Sequence, residues 1–163
     1  MSVMLDPQYQ FRPMTPDDLD AVMAIEPHIY SHPWSRGNFS DSLASGYSAW
    51  VLLDGAKMIG YALMMIVLDE AHLLNLSIAK AYQKQGLGRL LLEHMIAIAK
   101  RHHAANMFLE VRPSNISAIA LYEKSGFHQI DLRKNYYPAA NGTREHAIIM
   151  VKSCSDDFSQ LFK

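Results

Sequence analysis

An α+β fold, a single sheet sandwiched by helices, is what this sequence predicts, and three observations predict it. Segments of period-two and 3.6-period hydrophobicity follow one another in a mixed order rather than as regular βαβ repeats. Two turn dipeptides, Asp54-Gly55 and Asn141-Gly142, stand between strand-like runs. Half of the 163 residues are apolar, enough to bury a core in one domain without disulfides or metals.

Phe11 begins a short first strand. Thr15-Pro16-Asp17-Asp18 then supplies an N-cap, a proline at the first helical position and acids at the positive dipole end, and a helix through about Glu26 follows. Leu19, Val22 and Met23 form its apolar face. Pro27, Pro33 and Gly37 predict a loop carrying His28, His32 and Trp34, after which Ser35 caps a short second helix through Leu43. Residues 48–53 and 57–68 read as an antiparallel hairpin about Asp54-Gly55, and 71–79 as the next strand.

A long helix follows, with Leu87, Leu90, Leu91, His94, Met95 and Ile98 on one side, and then a strand over 107–111. Pro113 stops that strand. Ser114 or Asn115 caps a helix over 116–125, Gly126 ends it in the left-handed conformation, and strands over 127–133 and 145–151 flank a polar connection. No repeat, low-complexity segment or linker interrupts the order.

The formal net charge is −1 with no block of like charges, which argues against nucleic acid or an anionic membrane surface as a partner. Cys154 is the single cysteine, so an internal disulfide framework and a thiolate metal cluster are excluded and a reducing compartment is expected. Residues 1–10 lack a basic start followed by an apolar run, so no secretory signal is expected. The longest apolar stretch, 59–68, contains Tyr61 and stops at Asp69 and Glu70, about half the length needed to span a bilayer. The expected location is the cytoplasm.

Gly86 and Gly88 stand where a strand gives way to a helix. Without side chains there, free backbone N–H groups can approach a phosphate, and the helix dipole favours its charge. No Gly-Lys-Ser/Thr follows, and Leu91 takes the third glycine position of a dinucleotide fingerprint, so neither nucleotide motif is complete. A tight turn at Gly86 and close packing at Gly88 explain the pair equally. Gln83, Lys84 and Arg89 add polar and positive groups that suit a phosphorylated ligand, or simply a solvated face.

The run Gln83-Lys84-Gln85-Gly86-Leu87-Gly88 resembles the Gln/Arg-x-x-Gly-x-Gly/Ala signature of the GNAT acetyltransferases, placed between the expected strand and helix. Asn115, with Ala120-Leu121-Tyr122-Glu123-Lys124-Ser125-Gly126-Phe127, resembles that family's second coenzyme-binding helix. Within the superfamily the likeness is to the enzymes that acetylate the N-terminal alanine of small-subunit ribosomal protein eighteen. It extends over His32-Pro33-Trp34-Ser35, Leu68-Asp69-Glu70-Ala71, Leu74-Asn75-Leu76-Ser77-Ile78, Leu109-Glu110-Val111-Arg112 and Arg133-Lys134-Asn135-Tyr136-Tyr137-Pro138. It implies a GNAT fold with a mostly antiparallel sheet and helices on both faces, over one domain at residues 4–152 with a tail at 153–163.

The resemblance further implies acetyl-CoA as cosubstrate, no metal, and a ribosomal protein N-terminus as acceptor. Glu110 is then the proton acceptor and Tyr122, seven residues after Asn115, the proton donor to the leaving thiolate. Leu76, Ser77 and Ile78 would bind coenzyme and thioester through the backbone, with Gln83, Lys84, Gln85, Gly86, Leu87, Gly88, Arg89 and Asn115 completing the coenzyme site. Burial of Glu110 would raise its pKa toward the working pH.

Trp34, Asp69, Glu70, Tyr136 and Tyr137 are candidates for the peptide side, while loop packing and polar punctuation account for them as well. His28 and His32 lack an obvious third metal ligand. His102 and His103 suit a helix C-terminus, and Cys154 is expected to be a free thiol in a polar tail. The alternatives are a GNAT enzyme acting on lysine or a small amine, and a non-catalytic acetyl-CoA-binding module.

Overall fold

The computed structural model describes residues 8–155, so residues 4–7 of the expected domain and 156–163 of the expected tail lie outside the described residues. Contacts divide the chain into two compact units, one of residues up to 65 and 73–95, the other of 66–72 and 96 onward. Among the described residues they contain seven strands and four α-helices.

The strands β1 (Tyr9–Pro13), β2 (Ser48–Asp54), β3 (Lys57–Val67) and β4 (Glu70–Ile78) follow one another in the order β1-β2-β3-β4, all within the first unit except the stretch 66–72 at the ends of β3 and β4. β1 pairs antiparallel with β2, and β2 with β3. Asp54 faces Lys57, so Gly55 and Ala56 form the two-residue turn. Gly55 has φ 61° and Ala56 no positive φ, which fits the type II′ hairpin turn whose twist matches that of the strands.

Helix α1 (Leu19–Ile29) follows a 3-10 turn at Pro16–Asp18. The Asp18 carboxylate accepts the Thr15 backbone N–H at 2.8 Å and both Arg12 guanidinium nitrogens at 2.8 Å, which holds its pKa below the usual carboxylate value. The helix runs through Pro27, contrary to the loop expected there, and takes His28 with it. The proline lies in the last turn, where the lost hydrogen bond and the clash with the Met23 carbonyl disturb little helix downstream. Ser35 caps α2 (Arg36–Ala44) as expected, exchanging hydrogen bonds with Asn38. The core of this unit joins Leu19 and Val22 of α1, Phe39 of α2, and Val51, Tyr61 and Leu63 of the strands.

Helix α3 (Leu87–Arg101) starts in the first unit and ends in the second. Leu91, Leu92, Met95 and Ala99 are fully buried, a wider face than the single stripe expected. His102 and His103 form the C-terminal end of the helix as expected, the His102 N–H donating to the Ile98 carbonyl at 3.2 Å. His103 takes the left-handed cap position at φ 63°, and the Ala104 N–H closes back on the Ala99 carbonyl at 3.0 Å.

The second unit carries β5 (Asn106–Val111), α4 (Ile116–Lys124), β6 (His128–Pro138) and β7 (Arg144–Ser153) in the strand order β5-β7-β6, with both pairings antiparallel. β6 and β7 are longer than expected, leaving only residues 139–143 to connect them. β6 is irregular: between the pairs Arg133↔Ala147 and Tyr137↔Glu145, three residues lie opposite His146 alone, and Asn135 has φ 53°. Such a bulge bends an exposed strand and re-aims its side chains. Cys154 is fully buried, not part of a polar tail: its N–H donates to the Ala105 carbonyl at 2.8 Å, and burial pushes its thiol pKa up.

Candidate active site

The residues singled out in the sequence fall into two groups, one in each unit. In the first, β4 ends at Ile78 and the chain passes through Gln83 to Gly86 into α3. Lys84 (φ 64°) and Gly86 (φ 82°) both adopt the left-handed conformation. A Cβ on Gly86 would meet nothing within 4 Å, so glycine is needed there for its φ and the space beside it is open. The Leu90 N–H donates to the Gly86 carbonyl at 3.1 Å, so the N–H groups of Leu87, Gly88 and Arg89 have no partner from the helix itself. Unpaired N–H groups at the positive end of a fifteen-residue helix suit a phosphate group.

The Gln83 side chain donates to the Ile78 carbonyl at 2.9 Å and so braces the loop on the end of β4, while Gln85 reaches the Ala81 carbonyl at 3.4 Å. Arg89 is ion-paired with Glu93 at 3.2 Å. A surface pair at this spacing contributes only about 0.3–0.5 kcal/mol, little hindrance to a phosphate that competes for the arginine. Ser77 and Ile78 are buried, and the Leu76 carbonyl accepts the Tyr30 hydroxyl at 3.0 Å. Trp34 packs its ring on Phe39 at 5.0 Å and lines an open groove of about 350 Å³ with Asn38, Asp41, Tyr47 and Leu74.

In the second unit Glu110 stands near the end of β5, opposite Ile149 of β7. It is exposed rather than buried, because Leu109 and Val111 on either side take the buried face of the strand. Its Oε2 pairs with the Arg133 guanidinium at 3.1 Å, leaving Oε1 able to accept another hydrogen bond. Tyr122 is 9% exposed in α4 and meets Phe127 edge-on at 5.7 Å. Asn115 caps that helix, its Oδ1 accepting the Ala118 N–H at 3.3 Å, which leaves its amide N–H groups for another partner.

The β6 bulge gathers aromatic rings and cations. Tyr136 and Tyr137 meet edge to face at 5.0 Å, Arg112 lies 4.4 Å over the Tyr137 ring, and Arg133 lies 5.4 Å over Tyr136. Burial, with the negative charge of Glu110 nearby, pushes the Tyr137 phenol up to about 12, so it stays protonated at neutral pH. Asp69 is exposed and its carbonyl accepts the Ala105 N–H at 2.7 Å, while the Glu70 carboxylate lies 3.1 Å from His72.

Residues 19–127 match the acetyltransferase (GNAT) family. The chain belongs to that family. It is 45% identical over 134 residues to the [ribosomal protein bS18]-alanine N-acetyltransferase of Escherichia coli K12, covering 82% of this chain and 90% of that one. The crystal structure of the Escherichia coli ribosomal-protein-S18-alanine N-acetyltransferase superposes with a TM-score of 0.85 at 41% identity, over 90% of this chain and 94% of that one. At 19% identity and a TM-score of 0.74, over 91% of this chain and 95% of the other, the GNAT fold is also shared with yncA of Salmonella typhimurium, solved with its cofactor acetyl-CoA.

The sequence reading missed one group of residues in this GNAT protein. Glu26, taken only as the end of a helix, is 1% exposed and accepts the Tyr61 hydroxyl at 2.6 Å. A signal was present: Glu26 follows Leu19 by seven positions and Val22 by four, which puts it on the buried stripe of α1. No helix among the described residues is long and apolar enough to cross a membrane.

Proposed function

We propose that this protein moves the acetyl group of acetyl-CoA to the α-amino group of an N-terminal alanine, that of ribosomal protein bS18, in the cytoplasm and by direct transfer without an acyl-enzyme. The observation that carries this reading is the 45% identity to the Escherichia coli alanine N-acetyltransferase across 82% of the chain. The open loop at Gly86 and the unpaired N–H groups that begin α3 support acetyl-CoA as the donor. One domain over residues 4–152 belongs to the same proposal.

Attack on a thioester needs a neutral amine, a donor for the developing oxyanion and a proton for the departing thiolate. An α-amino group has a pKa near 7.7–8.0 against about 10.4 for lysine, so a carboxylate at neutral pH removes its proton with little assistance. Glu110 is assigned this role, with Oε1 available beside the Arg133 pair. Tyr122 is the proton donor, a phenol with a reference pKa of about 10. A backbone N–H within Leu76, Ser77 and Ile78 is assigned to the oxyanion. Residues 83–89 and Asn115 hold the coenzyme, and Trp34, Asp69, Glu70, Tyr136 and Tyr137 face the peptide.

The test is acetyl-CoA turnover against three peptides: one starting Ala-Arg-Tyr-Phe-Arg, the same peptide with its N-terminus blocked, and one offering only an internal lysine. Turnover confined to the free alanine peptide is expected. Turnover of the lysine peptide alone overturns the substrate and leaves the family standing.

A further inference from the structure

The first unit buries a carboxylate, Glu26, that has no cationic partner among the described residues. Glu26 Oε1 accepts the Tyr61 hydroxyl at 2.6 Å and the Asn75 side-chain amide at 3.4 Å, and Oε2 accepts the Trp34 backbone N–H at 2.9 Å. The bonds continue from Asn75: the Ser77 hydroxyl donates to Asn75 Oδ1 at 2.5 Å, and the Tyr30 hydroxyl lies 2.8 Å from Ser77 Oγ and 3.0 Å from the Leu76 carbonyl. Burial pushes the Tyr30 phenol up to about 12 and Tyr61 higher still, so both hydroxyls keep their protons.

Proton bookkeeping gives this network a direction. Both Glu26 oxygens accept, from Tyr61, Asn75 and Trp34, so Asn75 turns its N–H groups toward Glu26 and its oxygen toward Ser77. Ser77 then spends its single proton on Asn75 and can only accept from Tyr30. The proton of Tyr30 is left shared between Ser77 Oγ and the Leu76 carbonyl. Reversing the amide of Asn75 would reverse the chain, and Glu26 is the group that forbids it.

A buried carboxyl group is expensive unless it is hydrogen-bonded, and well-packed apolar side chains commonly serve stability better. What Glu26 adds is a tie between separate pieces of chain: the loop at Trp34, β3 at Tyr61, and β4 at Asn75 through Leu76. Trp34 is one wall of the 350 Å³ groove, and Leu76 and Ser77 lie on the segment assigned to the thioester.

We propose that Glu26 is a positioning residue for acetyl transfer, fixing the Trp34 wall and the Leu76–Ser77 backbone in one frame from within α1. The proposal rests on the alanine-acetylation reading above. Among the described residues the loop at 83–88, assigned to the coenzyme phosphates, shares no hydrogen bond with the network, so Glu26 bears on acetyl-CoA only at the thioester end through Leu76–Ser77 and leaves the phosphate contacts alone. In Glu26→Gln the new NH₂ must face either Tyr61 and Asn75 or the Trp34 N–H, donor against donor.

The experiment is steady-state kinetics of Glu26→Gln with the alanine peptide, each substrate varied in turn. Expected are a fall in kcat of about tenfold to a hundredfold and a severalfold rise in the peptide KM, with the acetyl-CoA KM within about twofold of wild type. Unchanged kcat and peptide KM overturn the proposal, and so does an acetyl-CoA KM that rises in step with the peptide's. Should Glu26→Gln not fold, Tyr30→Phe removes only the far hydroxyl and leaves Glu26 its three donors. Its kcat is expected to fall about threefold to tenfold at unchanged acetyl-CoA KM, and a wild-type kcat overturns the proposal.

Wild-type protein is assayed alongside. If it fails to acetylate the alanine peptide, the reading of function falls, and amide hydrogen exchange of Tyr30→Phe and Glu26→Gln then decides the positioning claim. Loss of protection at Trp34 and across 75–77 supports it; wild-type protection at both overturns it.

Discussion

Glu26 and Glu110 each lie between apolar or ring-bearing neighbours in the sequence, yet one is the most enclosed carboxylate described and the other is open to solvent. Among the described residues Glu26 is held by three neutral donors and no cation. Glu110 has one exposed arginine and a free oxygen. The contrast teaches where a carboxylate can act on a proton in transit. Glu26 has both oxygens held by fixed partners inside the core and serves to hold geometry, whereas Glu110 can exchange one partner for another.

The largest effect that could break this contrast is on turnover. Glu110→Gln and Tyr122→Phe are each expected to lower kcat by about 10²–10⁴-fold, while the denaturant midpoint of Glu110→Gln stays close to wild type. Peptide kinetics and urea unfolding measure the two sides. Unimpaired turnover by folded Glu110→Gln would move the base elsewhere.

Stability should show the opposite ranking. Tyr61→Phe strips a donor from a buried carboxylate and is expected to cost about 1.5–3 kcal/mol, against about 0–1 kcal/mol for Arg133→Gln at the exposed pair. Equal losses in urea titrations would mean the two environments differ less than their exposure suggests. Gly60 belongs to the buried side too: a Cβ there would stand 2.8 Å from Ile78 Cδ1 and 2.9 Å from the Ser77 carbonyl, and that backbone cannot yield cheaply. Gly60→Ala is expected to lose about 1–3 kcal/mol and to lower kcat through β4, read by the same two assays.

Asp18 lies between the extremes, its side chain 9% exposed and paired with an arginine. The hydrogen bonds from Arg12 lower its folded pKa, so its stabilisation is complete above the unfolded value and is lost as pH falls through the folded one. The gap in melting temperature between wild type and Asp18→Asn is therefore expected to be widest at neutral pH and to close below about pH 4. A gap that stays constant into acid would assign the loss to packing instead of charge.

Much of the site was legible because it rests on local chemistry. Ser35 and Asn115 announce helix starts by their capping groups, Gly55 marks a hairpin, and Gly86 opens a loop at a helix N-terminus, each through interactions within a few residues. Pairing partners across the fold were not legible in this way. The run through Pro27, the three-residue bulge opposite His146 and the burial of Cys154 each depend on what a distant segment supplies.

The sequence by itself determined the order of elements, the strand that carries Glu110, and the glycine loop before α3, because period, capping and backbone freedom are properties of neighbouring residues. Only the tertiary structure decided that Arg133 meets Glu110, that Tyr136 and Tyr137 are re-aimed by a bulge, and that Glu26 binds Tyr61, Asn75 and Trp34. Such contacts join residues 8 to 49 positions apart, and their distances follow from how strands and helices pack rather than from spacing along the chain.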